Sequence, residues 1–406
     1  MKVSELRGKA AIAGFGDAYS DYPGQKKSAF KLAMEAFRNA LADCGLEKSD
    51  IDGVLVGRAP VYDPRPQWNN ILCAYMKVTP QFGTEVSIHG AGMNAMLKHA
   101  AMAVNQGIVR NVLCIGVDSN EFSDVRMGVA EVDTDPEFEA PYGPMVPTIY
   151  AQVACRLMHE YGVTEEDLAA VSVECQNWAV HHPKAAKRSK GRITVEDVLA
   201  SRVISWPLRL WNCATWGPPG TAGAMIVTRS ENARAMQAKP IYILGSAECE
   251  THEYLTDRLA LRQSNLPLGP LPSITSTGCR VAGKTAFEMA GITQDDVDII
   301  QTGSNFAHSE LIALSELGFT TLPKAGDFIR SGATGIGGRF PTNTNGGWLS
   351  FGQPGAVCVM DSVVEAVRQL RGQALGMQVP DPEVACVHAL GGMMACQSVT
   401  ILSTST

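Results

Sequence analysis

The stretch CGLEKSDIDGVLVG (Cys44–Gly57) aligns without gaps on AGITQDDVDIIQTG (Ala290–Gly303). Gly45, Asp50, Asp52 and Gly57 coincide with Gly291, Asp296, Asp298 and Gly303, and apolar Leu46, Ile51 and Val54 with Ile292, Val297 and Ile300. In the segments just before, Ala36 and Ala40 coincide with Ala282 and Ala286. Each copy reads as a helix stopped at a glycine, an aspartate-capped turn and a short buried strand. Recurrence at fixed register predicts an internal duplication of an α/β unit.

Working outward, SAFKLAMEAFRNALADCG (Ser28–Gly45) is an amphipathic helix with Ser28 as N-cap and Gly45 just past its end. AAIAGFG (Ala10–Gly16) reads as a strand ending in a glycine turn, and GVLVG (Gly53–Gly57) and NVLCIGV (Asn111–Val117) as further strands. A helix is expected from about Met93 to Asn105. Strands alternating with helices predict parallel α/β layers. A weaker echo links SIHGAGMNAMLKHAAMAV with NTNGGWLSFGQPGAVCVMDSVVEAV. Both are polar, glycine-rich loops feeding an apolar helix. Each would present backbone N–H donors at a helix start, suited to an anion or a developing oxyanion. Between the halves, from Asp118 to Trp216, the pattern breaks, as in an insertion folded over one repeat.

Composition narrows the class. The chain has 406 residues, 45% apolar and 18% charged, enough for a large buried core. Its net charge of −7 argues against nucleic-acid binding. The 11 cysteines are scattered, without CxxC or metal-ligand spacing, and sit mostly in apolar runs such as those around Cys114 and Cys358. Buried reduced thiols in a cytoplasmic protein are expected, with no membrane span and no secretory signal. His181 and His182 are adjacent but lack ligand partners, so no metal site is expected.

The opening AIAGFG, AMEAFRNALADCGLEKSDIDGVLVG, RITVEDVLASRVISWPLRLWNC, LGFTTLPKAGDFIRSGATGIGGRFPTNTNGGWLSFGQPGA and VHALGGMMACQSVTIL resemble, in this order and spacing, the thiolase superfamily. The resemblance runs nearly end to end. It is nearest to the thiolase domain of sterol carrier protein X and the lipid-transfer-protein group. It implies an α/β fold of two similar repeats in a five-layered α-β-α-β-α sandwich with an inserted loop domain. Residues 1–117 and 217–245 would form the first repeat, 118–216 the insertion and 246–406 the second repeat. It also implies an acyl-CoA substrate, with coenzyme A as part of that substrate rather than a resident cofactor. The expected partners are a second copy in a homodimer and a small zinc-ribbon/OB-fold protein.

The departures from the family pattern concern its chemistry. The Cys-x-x-Gly stretch of the family reads SIHGAGMNAM here, which puts His89 or Gly90 at the nucleophile position. The Gly-His-Pro motif reads GQP, so Gln353 replaces the histidine. The second cysteine position reads Ala389 or Leu390, and the family's Asn or His falls near Gly303. Acyl transfer needs a thiolate and a base to form it. A retro-aldol cleavage of a 3-hydroxyacyl-CoA needs only a base for the hydroxyl proton and an oxyanion site for the thioester.

Candidate catalytic residues are His89, His308, Asn305, Gln353 and His388. Each histidine could be a base or donor, or a structural residue bonded to backbone. Asn305 and Gln353 could donate to the thioester oxygen or merely hold turns. The basic run around Lys184, Lys187 and Arg188 could bind the phosphates of coenzyme A, with Gly90 and Gly392 allowing close approach of the thioester. Tyr142 and Tyr150 read as pocket walls, and Trp206, Trp211 and Trp216 would suit a bulky apolar acyl group. The expected activity is therefore a carbon–carbon lyase of CoA esters. Thiolysis with an atypical site and a non-catalytic acyl-CoA-binding scaffold are the alternatives.

Overall fold

The computed structural model describes residues 6–20, 27–57, 65, 67–119, 134–215, 220–252, 254–255, 273–353, 355 and 358–406. The duplicated stretch keeps the same devices in both copies. Helix α1 (Ala29–Cys44) ends at Gly45 with φ 75°, and α6 (Cys279–Ala290) ends at Gly291 with φ 64°. Asp50 and Asp296 then close capping boxes on one-turn helices. Asp52 accepts the amides of Arg110 and Asn111, where β4 (Asn111–Ser119) begins. Asp298 accepts those of Glu383 and Val384, where β10 (Val384–Gly391) begins. One carboxylate per half thus ties the turn to the start of a neighbouring strand, satisfying amides that the sheet leaves unpaired.

The main sheet also contains β1 (Ala10–Tyr19), β2 (Gly53–Gly57), β3 (Phe82–Val86), β7 (Gly220–Arg229), β8 (Ile241–Glu250), β9 (Ile299–Gln301) and β11 (Cys396–Ser403). The small hairpin β5 (Val203–Ser205) and β6 (Leu208–Arg209) lies apart. The nine-stranded order is β3-β2-β4-β7-β1-β8-β11-β10-β9. Read outward from the β1/β8 junction, β7, β4 and β2 on one side mirror β11, β10 and β9 on the other. Strand β8 runs across the expected 245/246 boundary.

Strand β1 continues past Gly16, where the sequence pattern predicts a turn. A β-carbon at Gly16 would run into backbone atoms of Ala36 and Ala40. That glycine serves close helix–strand packing rather than a change of direction.

Alternate strand residues enter two separate cores. Ala10, Ile12, Val112 and Cys114 join Ile243, Ile299, Ala385 and Val387 around α3 (Gly92–Asn105) and α8 (Cys358–Leu370). Ala11, Ala13, Leu113 and Ile115 face α1, while Leu244, Ile300, Cys386 and Ile401 lie with α6. Both faces of both half-sheets are buried, with the two central helices as the shared middle layer, which is the five-layered sandwich expected. Each fully buried Ile or Leu contributes about 1.5–3 kcal/mol. The insertion carries α4 (Val146–Tyr161) and α5 (Glu165–Ala179). It is fastened to the second repeat by the Arg330–Asp167 ion pair and by Trp178 Nε1 donating to Thr334 O at 3.3 Å.

Candidate active site

The first element of the site is the loop Ser87–Ala91 ahead of α3. His89 has φ 48°, a left-handed conformation that a non-glycine residue adopts only when its surroundings hold it there. Three contacts do so. Ser398 Oγ donates to Ala91 O at 2.8 Å. A β-carbon on Gly90 would strike Leu390 O, so this loop lies directly on the end of β10. One on Gly392 would lie 3.1 Å from His89 Cδ2. His89, Glu250, His252, Tyr254, Gly392, Met393 and Cys396 line a cleft of about 390 Å³.

The second element is the loop Thr302–Asn305, buried throughout. A β-carbon on Gly303 would lie 3.0 Å from Leu390 Cγ and 3.1 Å from Trp348 Cη2. The residue near the family's Asn/His position thus also lies against Leu390 at the end of β10. Gly303 N donates to His388 Nδ1 at 3.3 Å, and His388 Nε2 bonds Gln397 Oε1 at 2.8 Å. This partnering makes Nδ1 the acceptor and puts the ring proton on Nε2. Burial lowers the His388 pKa to about 4. His388 is therefore a neutral histidine with both nitrogens engaged, which departs from the expected catalytic part and makes it a support for the Gly303 peptide.

Asn305 spends Oδ1 on the Phe306 amide at 3.1 Å, leaving Nδ2 to donate. Its carbonyl accepts from Ala214 N at 2.7 Å. The same segment reaches the GQP loop, where Gln353 N donates to Thr215 O at 2.7 Å. His308 starts α7 (Ala307–Glu316) fully buried, its ring 5.8 Å from that of Tyr150 and 6.0 Å from that of Phe306. Neither ring nitrogen has a hydrogen-bond partner among the described residues. Burial lowers its pKa to about 3, so it stays neutral. Of the three candidate histidines only His89 reaches the cleft. Tyr150 is buried as expected of a wall, whereas Tyr142 is 87% exposed.

The basic run divides. Lys184 and Arg188 are exposed. Lys187 departs from the expected phosphate-binding face. Its Nζ is buried without a hydrogen-bond partner among the described residues, 4.6 Å over the Trp211 ring, and burial lowers its pKa to about 8. Trp206 is exposed, and Trp216 lies outside the described residues.

Sequence reasoning did not single out Glu250, His252, Tyr254 or Cys396. His252 is fixed by Thr251 Oγ1 at 2.7 Å and Met393 O at 3.3 Å. The one signal was the polar cluster ECETHEY ending β8, but its place beside His89 depends on sheet order. Among the described residues no His/Cys/Asp/Glu group could hold a metal, and no helix is long and apolar enough to cross a membrane.

The thiolase C-terminal domain-like family profile matches residues 263–404. The acetyl-CoA acetyltransferase of Methanothermobacter thermautotrophicus is 30% identical, over 92% of this chain and 94% of that protein. The 17-hydroxy-3-oxo-4-pregnene-20-carboxyl-CoA lyase of Mycobacterium tuberculosis is 32% identical, over 91% and 93%. The Ltp2-ChsH2(DUF35) aldolase structure superposes with a TM-score of 0.81 at 30% identity, covering 98% of each chain.

Proposed function

We propose, from the premise that this chain belongs to the thiolase superfamily, that it is an acyl-CoA enzyme that cleaves the carbon–carbon bond beta to a CoA thioester by retro-aldol chemistry. The carrying observation is the cleft itself. An imidazole, that of His89, in the loop that stands where the family carries its nucleophile, lines a polar cavity beside Gly392. A lyase and an aldolase among the relatives support the same reading.

In this reading His89 takes the 3-hydroxyl proton. The bond between the α- and β-carbons breaks, the β-carbon leaves as a ketone or aldehyde, and the electron pair moves into the thioester as an enolate. Backbone N–H groups of the glycine loops and Asn305 Nδ2 receive the developing negative charge. The proton then returns to the α-carbon, giving a shortened acyl-CoA. No free coenzyme A is consumed. Lys184 and Arg188 supply exposed charge for the coenzyme A phosphates. A second copy of the chain and a small partner subunit complete the assembly, as the two-component name of the Ltp2-ChsH2(DUF35) aldolase suggests.

One observation favours a second reading. Cys396 lines the same cleft as His89, which gives thiolysis a thiol the family pattern does not foresee. The test is product analysis by mass spectrometry on 3-hydroxyacyl-CoA esters, and separately on 3-ketoacyl-CoA esters with free coenzyme A. The first panel alone should yield a shortened acyl-CoA plus a carbonyl compound. Turnover of the keto panel alone, abolished by Cys396→Ala, would establish thiolysis instead.

A further inference from the structure

The loop Thr302–Asn305 carries Gly303 and Asn305 into the site without belonging to a helix or strand, so side chains must hold its course. Asn343, fully buried and left-handed at φ 54°, does most of this. Its Oδ1 accepts from Thr302 N at 2.9 Å, and its Nδ2 donates to Thr302 Oγ1 at 2.9 Å. That Nδ2 also donates to Glu310 Oε2 at 2.7 Å. Glu310 projects from α7 into the interior, 1% exposed, and Cys175 Sγ of α5 also points at Oε2, at 3.7 Å.

Thr302 alone fixes which end of the amide is which, because its N–H needs an acceptor and its Oγ1 takes a donor. Glu310 adds a hold on the amide as a whole: its Oε2 takes a proton of Nδ2 and ties Asn343 to α7. Without an acceptor there, a buried N–H is left unpaired, and the amide shifts with the loop it holds.

We propose that Glu310 is a positioning residue: by holding the Asn343 amide against Thr302, it sets the loop that presents Asn305 to the thioester oxygen. The proposal rests on the retro-aldol or thiolysis reading only for its kinetic consequence. Its structural consequence stands without that reading. Burial holds the Glu310 pKa near 7, raised from the ordinary carboxylate range, yet the neutral acid still offers an accepting oxygen. A glutamine would do the same.

Hydrogen exchange of the peptide spanning 299–306 tests the structural half. Glu310→Leu and Asn343→Gly should each accelerate exchange there, while Glu310→Gln should not. Asn343→Gly keeps the left-handed backbone, so it separates the clamp from the fold. In turnover, Glu310→Leu should lower kcat about 10–100-fold with KM within about twofold, as expected for loss of oriented transition-state donors. The double variant should be no worse than either single one. Unchanged exchange in Glu310→Leu, or kinetic losses that add in the double variant, would overturn the proposal. A wild-type chain that cleaves neither substrate panel removes the functional reading, and the exchange result still decides the clamp.

Discussion

The ring of His89 lies so close to Gly392 that a β-carbon there would sit 3.1 Å from Cδ2. Two loops far apart along the chain, one before α3 and one after β10, thus form one wall of the cleft. Gly392→Val should close the space beside the imidazole and lower kcat/KM by about 100-fold. His89→Ala should lower kcat by about 10²–10⁴-fold, the range for loss of a general base. His89→Ala should melt near the wild-type temperature, whereas Gly392→Val, a β-branched residue at φ 45°, should also melt lower. Steady-state kinetics with matched thermal melts check this, and full activity in His89→Ala would remove the assigned base.

His388 is expected to fail differently. It connects Gly303 N to Gln397 Oε1, so His388→Leu leaves two buried polar groups unpaired. The cost should be on the order of 2–5 kcal/mol of stability. Chemical denaturation measures it, and a change under about 0.5 kcal/mol would show that the ring does not support the loop.

The basic run should show two behaviours. Lys184→Glu with Arg188→Glu should raise KM for acyl-CoA, and the effect should shrink as salt rises. Lys187→Met should leave KM and its salt dependence alone. Its amine has a depressed folded pKa of about 8, so any stability it contributes is present above the ordinary lysine value and lost as pH falls through 8. At pH 7, Lys187→Met should therefore be neutral or stabilising. Thermal melts and the salt dependence of KM separate the two behaviours.

Asp361 provides a pH signature. It is buried, Oδ1 accepts from Thr221 Oγ1 at 2.7 Å, and burial raises its pKa to about 8. A raised folded pKa means a contribution fully present below the ordinary carboxylate value and lost as pH rises toward 8. Asp361→Asn should thus gain on the wild type by a few kcal/mol, on the order of several pKa units of linkage, between pH 5 and 8. Melts across that range test it, and a constant difference between the two proteins would contradict the assignment.

The duplicated fold was legible because local rules carry it. Gly45 and Gly291 end helices in left-handed geometry, and Asp52 and Asp298 anchor strands, and each rule acts within a few residues. The site was legible only where it follows a loop-to-helix transition, as at His89 and Asn305. His252, Tyr254 and Cys396 join it because β8 pairs with β11, a long-range relation that spacing along the chain does not encode. The inward position of Lys187 was not legible for a related reason. A run of cations does not show which side chain a one-turn helix directs inward, here over Trp211. The parts of Glu310 and Asn343 arise from a hydrogen-bond pattern across three separate segments, visible only once these are folded together.

The central claim is carbon–carbon cleavage without a thiol acceptor. The most direct measurement is the initial rate of shortened acyl-CoA formation from a 3-hydroxyacyl-CoA as free coenzyme A is titrated from zero, with intact-protein mass spectrometry at each point. The account predicts full turnover at zero free coenzyme A, no stimulation as it is added, and no acyl adduct on the chain. No cleavage of the 3-hydroxyacyl-CoA at any coenzyme A concentration, with the matching 3-ketoacyl-CoA cleaved only when free coenzyme A is present and its acyl group trapped on Cys396, would contradict it.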